Sequence, residues 1–261
     1  MLNKGGEVMD INRRKFIKFG GACALGLGVM PLVNVVASNN PKFLPSSKAL
    51  AGNKWGMAID MSKCDYCNDC IDACHLAHNV PSIGNTKEEV KWLWTEPHEN
   101  ALPYQSHDYV DESTKNRDVL VLCNHCENPS CVRVCPTQAT FKRKDGVVMM
   151  DYHRCIGCRY CMAACPYGAR SFNFSDPRPH IEEVNKEFPT RTKGVVEKCN
   201  LCDERLSVGL PPACVEACPN GVFTFGDLDD PNSDVRKLLA SSYNIQRKIS
   251  YGTKPKIYYI V

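Results

Sequence analysis

Of the chain's seventeen cysteines, sixteen fall into four quartets with one shared grammar. They are Cys64/Cys67/Cys70/Cys74, Cys123/Cys126/Cys131/Cys135, Cys155/Cys158/Cys161/Cys165 and Cys199/Cys202/Cys214/Cys218. Each opens C-x-x-C and closes C-x-x-x-C, and only the middle gap varies. Thiolates held this closely on short loops must converge on something. Disulfides are a poor answer, because neighbouring cysteines on one loop would mostly staple that loop to itself. Structural zinc asks for two pairs closing a tetrahedron. The fourth quartet, C-x-x-C-x11-C-x-x-x-C, fits that reading, but the other three are too compressed. A c-type haem needs C-x-x-C-H, and Cys70 to Cys74-His75 is one residue too long. The run CIGCRYCMAACP at 155–166 matches the pattern in which three thiolates wrap one iron–sulfur cube and the fourth ligates a neighbouring cube.

Around each quartet the chain repeats. A short apolar strand precedes the first cysteine, at 55–60, 119–122, 147–151 and 194–196. Three copies continue past the last cysteine with proline and place a small residue four positions beyond it: Cys135 to Ala139, Cys165 to Ala169, Cys218 to Val222. A second strand then begins at Phe141, Phe172 or Phe223. Lys144-Asp145-Gly146 offers a hairpin turn between copies two and three. The first copy departs, with His75 in place of proline. Strand, ligand loop, short helix and strand, twice over, make a ferredoxin-like unit. Four copies predict an α+β chain of two ferredoxin-like domains holding four [4Fe–4S] clusters.

Only 19 residues lie between Cys135 and Cys155, so quartets two and three are expected to pair. Cys123, Cys126 and Cys131 then take Cys165, while Cys155, Cys158 and Cys161 take Cys135. Quartets one and four pair around them: Cys64, Cys67 and Cys70 with Cys218, and Cys199, Cys202 and Cys214 with Cys74. The alternative, one with two and three with four, requires longer connections within each domain. The nested reading divides the chain into an outer domain (55–118 and 176–240), an inner domain (119–175) and a C-terminal extension (241–261). It makes the 155–166 stretch a middle step of an electron path. The insertions at 75–118 and 173–193 are long enough to cover clusters or to face partners.

The first 37 residues read as a targeting segment. Asn12-Arg13-Arg14-Lys15-Phe16-Ile17-Lys18 resembles the twin-arginine export signal, with Arg13 and Arg14 as its pair. A glycine-rich apolar run follows, and small residues before Ser38 offer a cleavage point. A retained membrane anchor is the competing reading. Cys23 lies in this segment, and residues 38–54 read as a linker. An export route that carries folded proteins suits clusters built in the cytoplasm and places the mature chain on the periplasmic face of the membrane. Of 32 basic and 29 acidic residues, five and two fall in the first 37, leaving 27 of each. No basic excess argues for nucleic acid.

Four cysteines per cube leave no iron open to substrate, so the chemistry expected is electron passage and not catalysis. No G-x-S-x-G, phosphate-binding glycine loop or dinucleotide fingerprint is present. His75, His125 and His153 lie beside ligand cysteines, where hydrogen bonds to sulfur tune potentials. Tyr66, Tyr160 and Tyr167 are placed to limit water access.

The run at 123–170, CNHCENPSCVRVCPTQATFKRKDGVVMMDYHRCIGCRYCMAACPYGAR, resembles the four-cluster iron–sulfur subunits of membrane oxidoreductases. That family includes the electron-transfer subunits of polysulfide and dimethyl sulfoxide reductases. The resemblance implies four [4Fe–4S] clusters in nested pairs. The leader, the WGMAIDMSKCDYCNDCIDACHLAHNVP opening, PTRTKGVVEKC and the YYIV tail are similar to the periplasmic iron–sulfur subunits of Dsr transmembrane complexes in dissimilatory sulfur metabolism. This narrower likeness implies a polytopic quinone-interacting membrane subunit, a multihaem cytochrome c subunit and other Dsr subunits as partners. The competing assignment is the electron-transfer subunit of a molybdopterin oxidoreductase such as polysulfide reductase.

Overall fold

The computed structural model describes residues 52–261; the segment read as an export signal, with Arg13, Arg14 and Cys23, lies outside them. In chain order the first elements are β1 (Trp55–Asp60), α1 (Asp69–His78), β2 (Leu93–Pro97), α2 (His98–Ala101), α3 (Glu112–Lys115), β3 (Asp118–Leu122) and α4 (Ser130–Arg133). Next come β4 (Thr140–Lys142), β5 (Val148–Met150), α5 (Tyr160–Ala163), β6 (Ser171–Phe172) and β7 (Val196–Glu197). The chain continues through α6 (Asp203–Leu206), α7 (Ala213–Ala217), β8 (Phe223–Asp227), α8 (Asp234–Ser241), β9 (Asn244–Ile245) and β10 (Ile257–Ile260).

β1 carries Met57, Ala58 and Ile59 in succession, all with no exposed surface. Such a run suits a strand covered on both faces and flanked on both edges. Its neighbours are β8, antiparallel with Ile59 opposite Phe223, and β10, parallel with Met57 opposite Ile257. The sheet order is β8-β1-β10-β9. The strand preceding the first quartet is thus hydrogen-bonded to the strand following the fourth. β4 and β5 form the expected hairpin, Thr140 opposite Met150. Gly146 turns it with φ +79°, a left-handed conformation that favours glycine. β6 pairs with β7.

Helix lengths follow from what comes after each last cysteine. Proline at 136, 166 and 219 disfavours helical geometry in the residue before it. Accordingly α4, α5 and α7 are short and stop before Cys135, Cys165 and Cys218. His75 sets no such limit, so α1 runs a full turn further to His78 and ends at Asn79, in left-handed geometry. Asp69 and Asp72 in its first turn favour the helix dipole. Cys70 and Cys74, four apart, are both buried.

Two segments read as standing outside the repeat supply strands. The 75–118 insertion supplies β2, which pairs antiparallel with β3 and brings in fully buried Trp92. The residues read as a C-terminal extension supply β9 and β10. Tyr259 of β10 is buried and donates its hydroxyl to the Leu120 carbonyl at 3.0 Å. One apolar core contains Met57, Cys70, Trp92, Leu120, Val147, Cys199, Phe223 and Tyr259. Among the described residues no helix is long and apolar enough to cross a membrane.

Candidate metal centres

All four ligand loops share a backbone device. The third residue of each C-x-x-C has positive φ: Tyr66 at 62°, His125 at 40°, Gly157 at 68° and Leu201 at 61°. Left-handed residues within such loops turn successive N–H groups towards a common concavity, which favours anions. Only one copy uses glycine, and its reason is steric as well: a Cβ on Gly157 would collide with the Gly194 carbonyl oxygen. A second left-handed residue follows each Cys-Pro, at Gln138, Gly168 and Gly221. The small residue after it then turns its N–H to the cysteine. Val222 N lies 3.4 Å from Cys218 Sγ, and the N–H groups of Ala139 and Ala169 act likewise on Cys135 and Cys165. Leu201 N and Ala213 N donate to Cys199 Sγ and Cys202 Sγ, each at 3.3 Å.

Sixteen cysteines among the described residues are free thiols. Cys64, Cys67, Cys70 and Cys218 line one pocket. Cys123, Cys126, Cys131 and Cys165 line another. Cys74 interacts electrostatically with Cys199, Cys202 and Cys214, and all four are buried. Cys161 interacts with Cys155 and, across the neighbouring set, with Cys131. Cys135 is half-buried beside Thr137. Electrostatic interactions between sets link Cys74 and Cys214 to Cys70, and Cys199 to Cys123. Among the described cysteines, Cys67 and Cys158 are exposed.

Burial raises most of these thiols. It pushes Cys70, Cys126 and Cys199 up to about 12 and carries Cys74 and Cys202 well above the usual range. Cys135 goes the other way: burial opposes its charge, but N–H groups of Thr140, Thr137 and Ala139 and the Thr137 hydroxyl outweigh it.

Of the flanking histidines, His125 is buried and accepts from Val148 N at 3.1 Å through Nδ1. That bond fixes Nε2–H as its donor in the neutral ring, and this nitrogen has no protein partner among the described residues. Burial, then the nearby Lys198 and Lys256, holds His125 well below the usual imidazole range. His75 is half-buried and His153 exposed. Tyr167 is buried and bonds Thr253. Tyr160 is 63% exposed, so it shields little.

Several residues near the cysteines carried no sequence signal. Thr253, from the C-terminal segment, hydrogen-bonds Cys126 as well as Tyr167. Lys198 is buried, its ammonium on the carbonyls of Val148 and Cys199. Arg170 is buried among Cys131, Cys161 and Cys123. His78 bonds the Cys74 carbonyl through Nδ1 at 2.9 Å and Glu204 through Nε2 at 2.8 Å. It also stacks on Trp92, whose Nε1 donates to Glu197. That carboxylate meets Arg191 at 2.6 Å with both side chains buried. A motif search centred on cysteine sees none of these, because each comes from another segment or from outside the quartet.

Soft thiolates in compact sets with N–H groups aimed at sulfur fit iron–sulfur clusters. Residues 119–177 and 184–228 match the family described as 4Fe-4S dicluster domain. The chain is 38% identical to an Hdr-like menaquinol oxidoreductase iron–sulfur subunit 1 of Archaeoglobus fulgidus, over 95% of this chain and 97% of that protein. It is 37% identical to the iron–sulfur cluster-binding subunit of a menaquinone reductase of Nitratidesulfovibrio vulgaris, over 79% and 88%. It is 33% identical to a tetrathionate reductase subunit of Salmonella typhimurium, over 98% and 90%. With thiolate sets of this kind and relatives of this kind, the chain belongs to the ferredoxin-like 4Fe-4S family of electron-transfer subunits of oxidoreductase complexes, and is not itself a catalytic subunit.

Proposed function

We propose that the sixteen cysteines hold four [4Fe–4S] clusters in nested pairs, and that the chain conducts electrons through them along a line. When bound, each cluster supplies a one-electron carrier. The observation that carries this reading is the company each fourth cysteine keeps. Cys218 lines a cavity with Cys64, Cys67 and Cys70; Cys165 lines one with Cys123, Cys126 and Cys131; Cys74 interacts with Cys199, Cys202 and Cys214. By the same repeat, Cys135 completes the Cys155, Cys158 and Cys161 set. The β1–β8 pairing across the ends of the sequence supports an outer domain of 55–118 and 176–240, and the β4–β5 hairpin supports an inner one of 119–175.

The electrostatic interactions between sets support a linear order: the Cys64 set, the Cys199 set, the Cys123 set, then the Cys155 set. Exposed Cys67 and Cys158 fall at its two ends. This order makes the 155–166 stretch a terminal step, where its centrality in the sequence led to the expectation of a middle one. Iron analysis tests the proposal: about 16 irons per chain are expected for four cubes, and about eight would overturn it.

The biological setting we propose is that of DsrO, the periplasmic iron–sulfur subunit of the Dsr complex. The chain would be exported folded through Arg13 and Arg14 and dock on a polytopic quinone-interacting subunit beside a multihaem cytochrome c. Relatives named for menaquinol oxidation and menaquinone reduction support the quinone link. A second reading draws on relatives named for dimethyl sulfoxide and tetrathionate reductases: an electron-transfer subunit of a molybdopterin oxidoreductase such as polysulfide reductase. Co-purification decides between them. A haem subunit supports the first, and a large molybdopterin subunit overturns it. Replacing Arg13 and Arg14 by lysine is expected to strand the protein in the cytoplasm; normal export would overturn the signal assignment.

A further inference from the structure

Among the described residues three guanidiniums lie deep in the fold, and one keeps different company. Arg191 faces Glu197 at 2.6 Å and Arg247 faces Glu96 at 2.7 Å. Arg170, only 5% exposed, instead donates from Nη2 to Thr140 Oγ1 at 2.7 Å and places Nη1 3.8 Å from Met150 Sδ. Both partners are neutral. A buried cation costs several kcal/mol unless an anion compensates it.

Cysteine supplies that anion. Arg170 lines the cavity of Cys123, Cys126, Cys131 and Cys165. Its guanidinium also interacts with Cys131 and with Cys161. These two cysteines belong to different sets. The position is held from both directions: Ala169 donates its N–H to Cys165, and Ser171 is paired in β6. A planar guanidinium presents five donors in a rigid fork, so it can face two sulfurs from one fixed position. Lys198 shows the contrast, because its ammonium is spent on two carbonyls.

We propose that Arg170 is a counter-ion shared by two clusters, those of Cys123/Cys126/Cys131/Cys165 and Cys155/Cys158/Cys161/Cys135, and that it raises both reduction potentials together. The inference rests on the nested-cluster reading above. Adding one electron to a cluster makes it more negative without moving a proton. A fixed cation therefore stabilises the reduced form more than the oxidised one. Thr140 positions the fork and touches neither set directly through its side chain, whose hydroxyl donates to the Met149 carbonyl.

The test is a redox titration followed by electron paramagnetic resonance on the full chain with its clusters, comparing wild type, Arg170→Met and Arg170→Lys. Arg170→Met is expected to shift two clusters downwards by at least tenfold in the reduction equilibrium, about 59 mV for one electron, and to leave the other two unmoved. Arg170→Lys, keeping charge but losing the fork, is expected to fall between. Four unchanged potentials, or a shift in one cluster only, would overturn the proposal. Should Arg170→Met lose iron, wild type grown on 15N-arginine supplies the second readout. Pulsed spectra are expected to show guanidinium nitrogen coupled to two reduced clusters, with both couplings gone in Arg170→Lys. A wild type with all four signals but no such coupling overturns Arg170's role alone, whereas fewer than four cluster signals overturns the nested reading and the proposal with it.

Discussion

The sites proposed for Cys74/Cys199/Cys202/Cys214 and Cys155/Cys158/Cys161/Cys135 use one sequence grammar in opposite surroundings. The first is wholly buried, between α1 and the α6–α7 segment, and is backed by His78, Trp92 and the Arg191–Glu197 pair. The second has Cys161 buried but Cys158 exposed, with Ile156 and Tyr160 66% and 63% exposed beside it. Arg159 stands over Phe172 and Phe174 at that rim. Spacing fixes which atoms converge; the segments packed around them decide whether a site is interior or marginal. The buried site is suited to relaying electrons within the protein, and the open one to exchanging them with another.

The largest expected effect breaks the backing of the buried site. Glu197 accepts from Trp92 Nε1, Asn173 Nδ2 and Arg191, so Glu197→Gln strands a buried guanidinium. A loss of about 3–5 kcal/mol is expected, read from denaturant unfolding of the cluster-loaded chain. A loss below about 1 kcal/mol would show that the pair does not brace this site.

Acidity separates the two sites next. In the cluster-free chain, burial raises Cys199 of the buried site to about 12 from a usual 9 and carries Cys74 and Cys202 well above it. A group raised on folding contributes stability that is complete below its unfolded pKa and lost as pH rises through the folded one. The urea midpoint of the cluster-free chain is therefore expected to fall as pH climbs from about 9 towards 12. Cys135, held low by N–H donors, contributes in the opposite direction, losing its share as pH falls. A midpoint flat above about pH 9 would remove the burial argument.

Exposure predicts the order of attack. With a chelator and mild oxidant, iron is expected to leave the Cys158 and Cys67 ends before the buried site, followed by alkylation of the freed thiols and peptide mass analysis. Early labelling of Cys202 or Cys214 would reverse the comparison. Smallest of all is the ion pair near the open site. Arg154 meets Asp151 at 3.2 Å while 66% exposed, so Asp151→Asn is expected to cost under about 1 kcal/mol.

Much of this was legible because cysteine spacing is unforgiving. The strands flanking each quartet and the Asp145-Gly146 turn lie where local pattern puts them. β2 was not legible: its few residues follow a polar stretch, and their strand character comes from pairing with β3. Nor was the place of β10, since parallel pairing with a strand some 200 residues earlier leaves no local mark. The small residue four beyond each Cys-Pro was visible, but its purpose is a backbone one, an N–H turned onto sulfur. Arg170 and Lys198 were hidden because their role depends on which sulfurs stand opposite, a tertiary fact.

The central claim is that each closing cysteine serves its partner's cluster, and Cys165→Ser tests it most directly. Redox-titrated electron paramagnetic resonance of this variant is expected to show the Cys123/Cys126/Cys131 cluster lost or altered and the Cys155/Cys158/Cys161 cluster intact. Damage to the Cys155/Cys158/Cys161 cluster with the other unchanged would contradict the nested pairing.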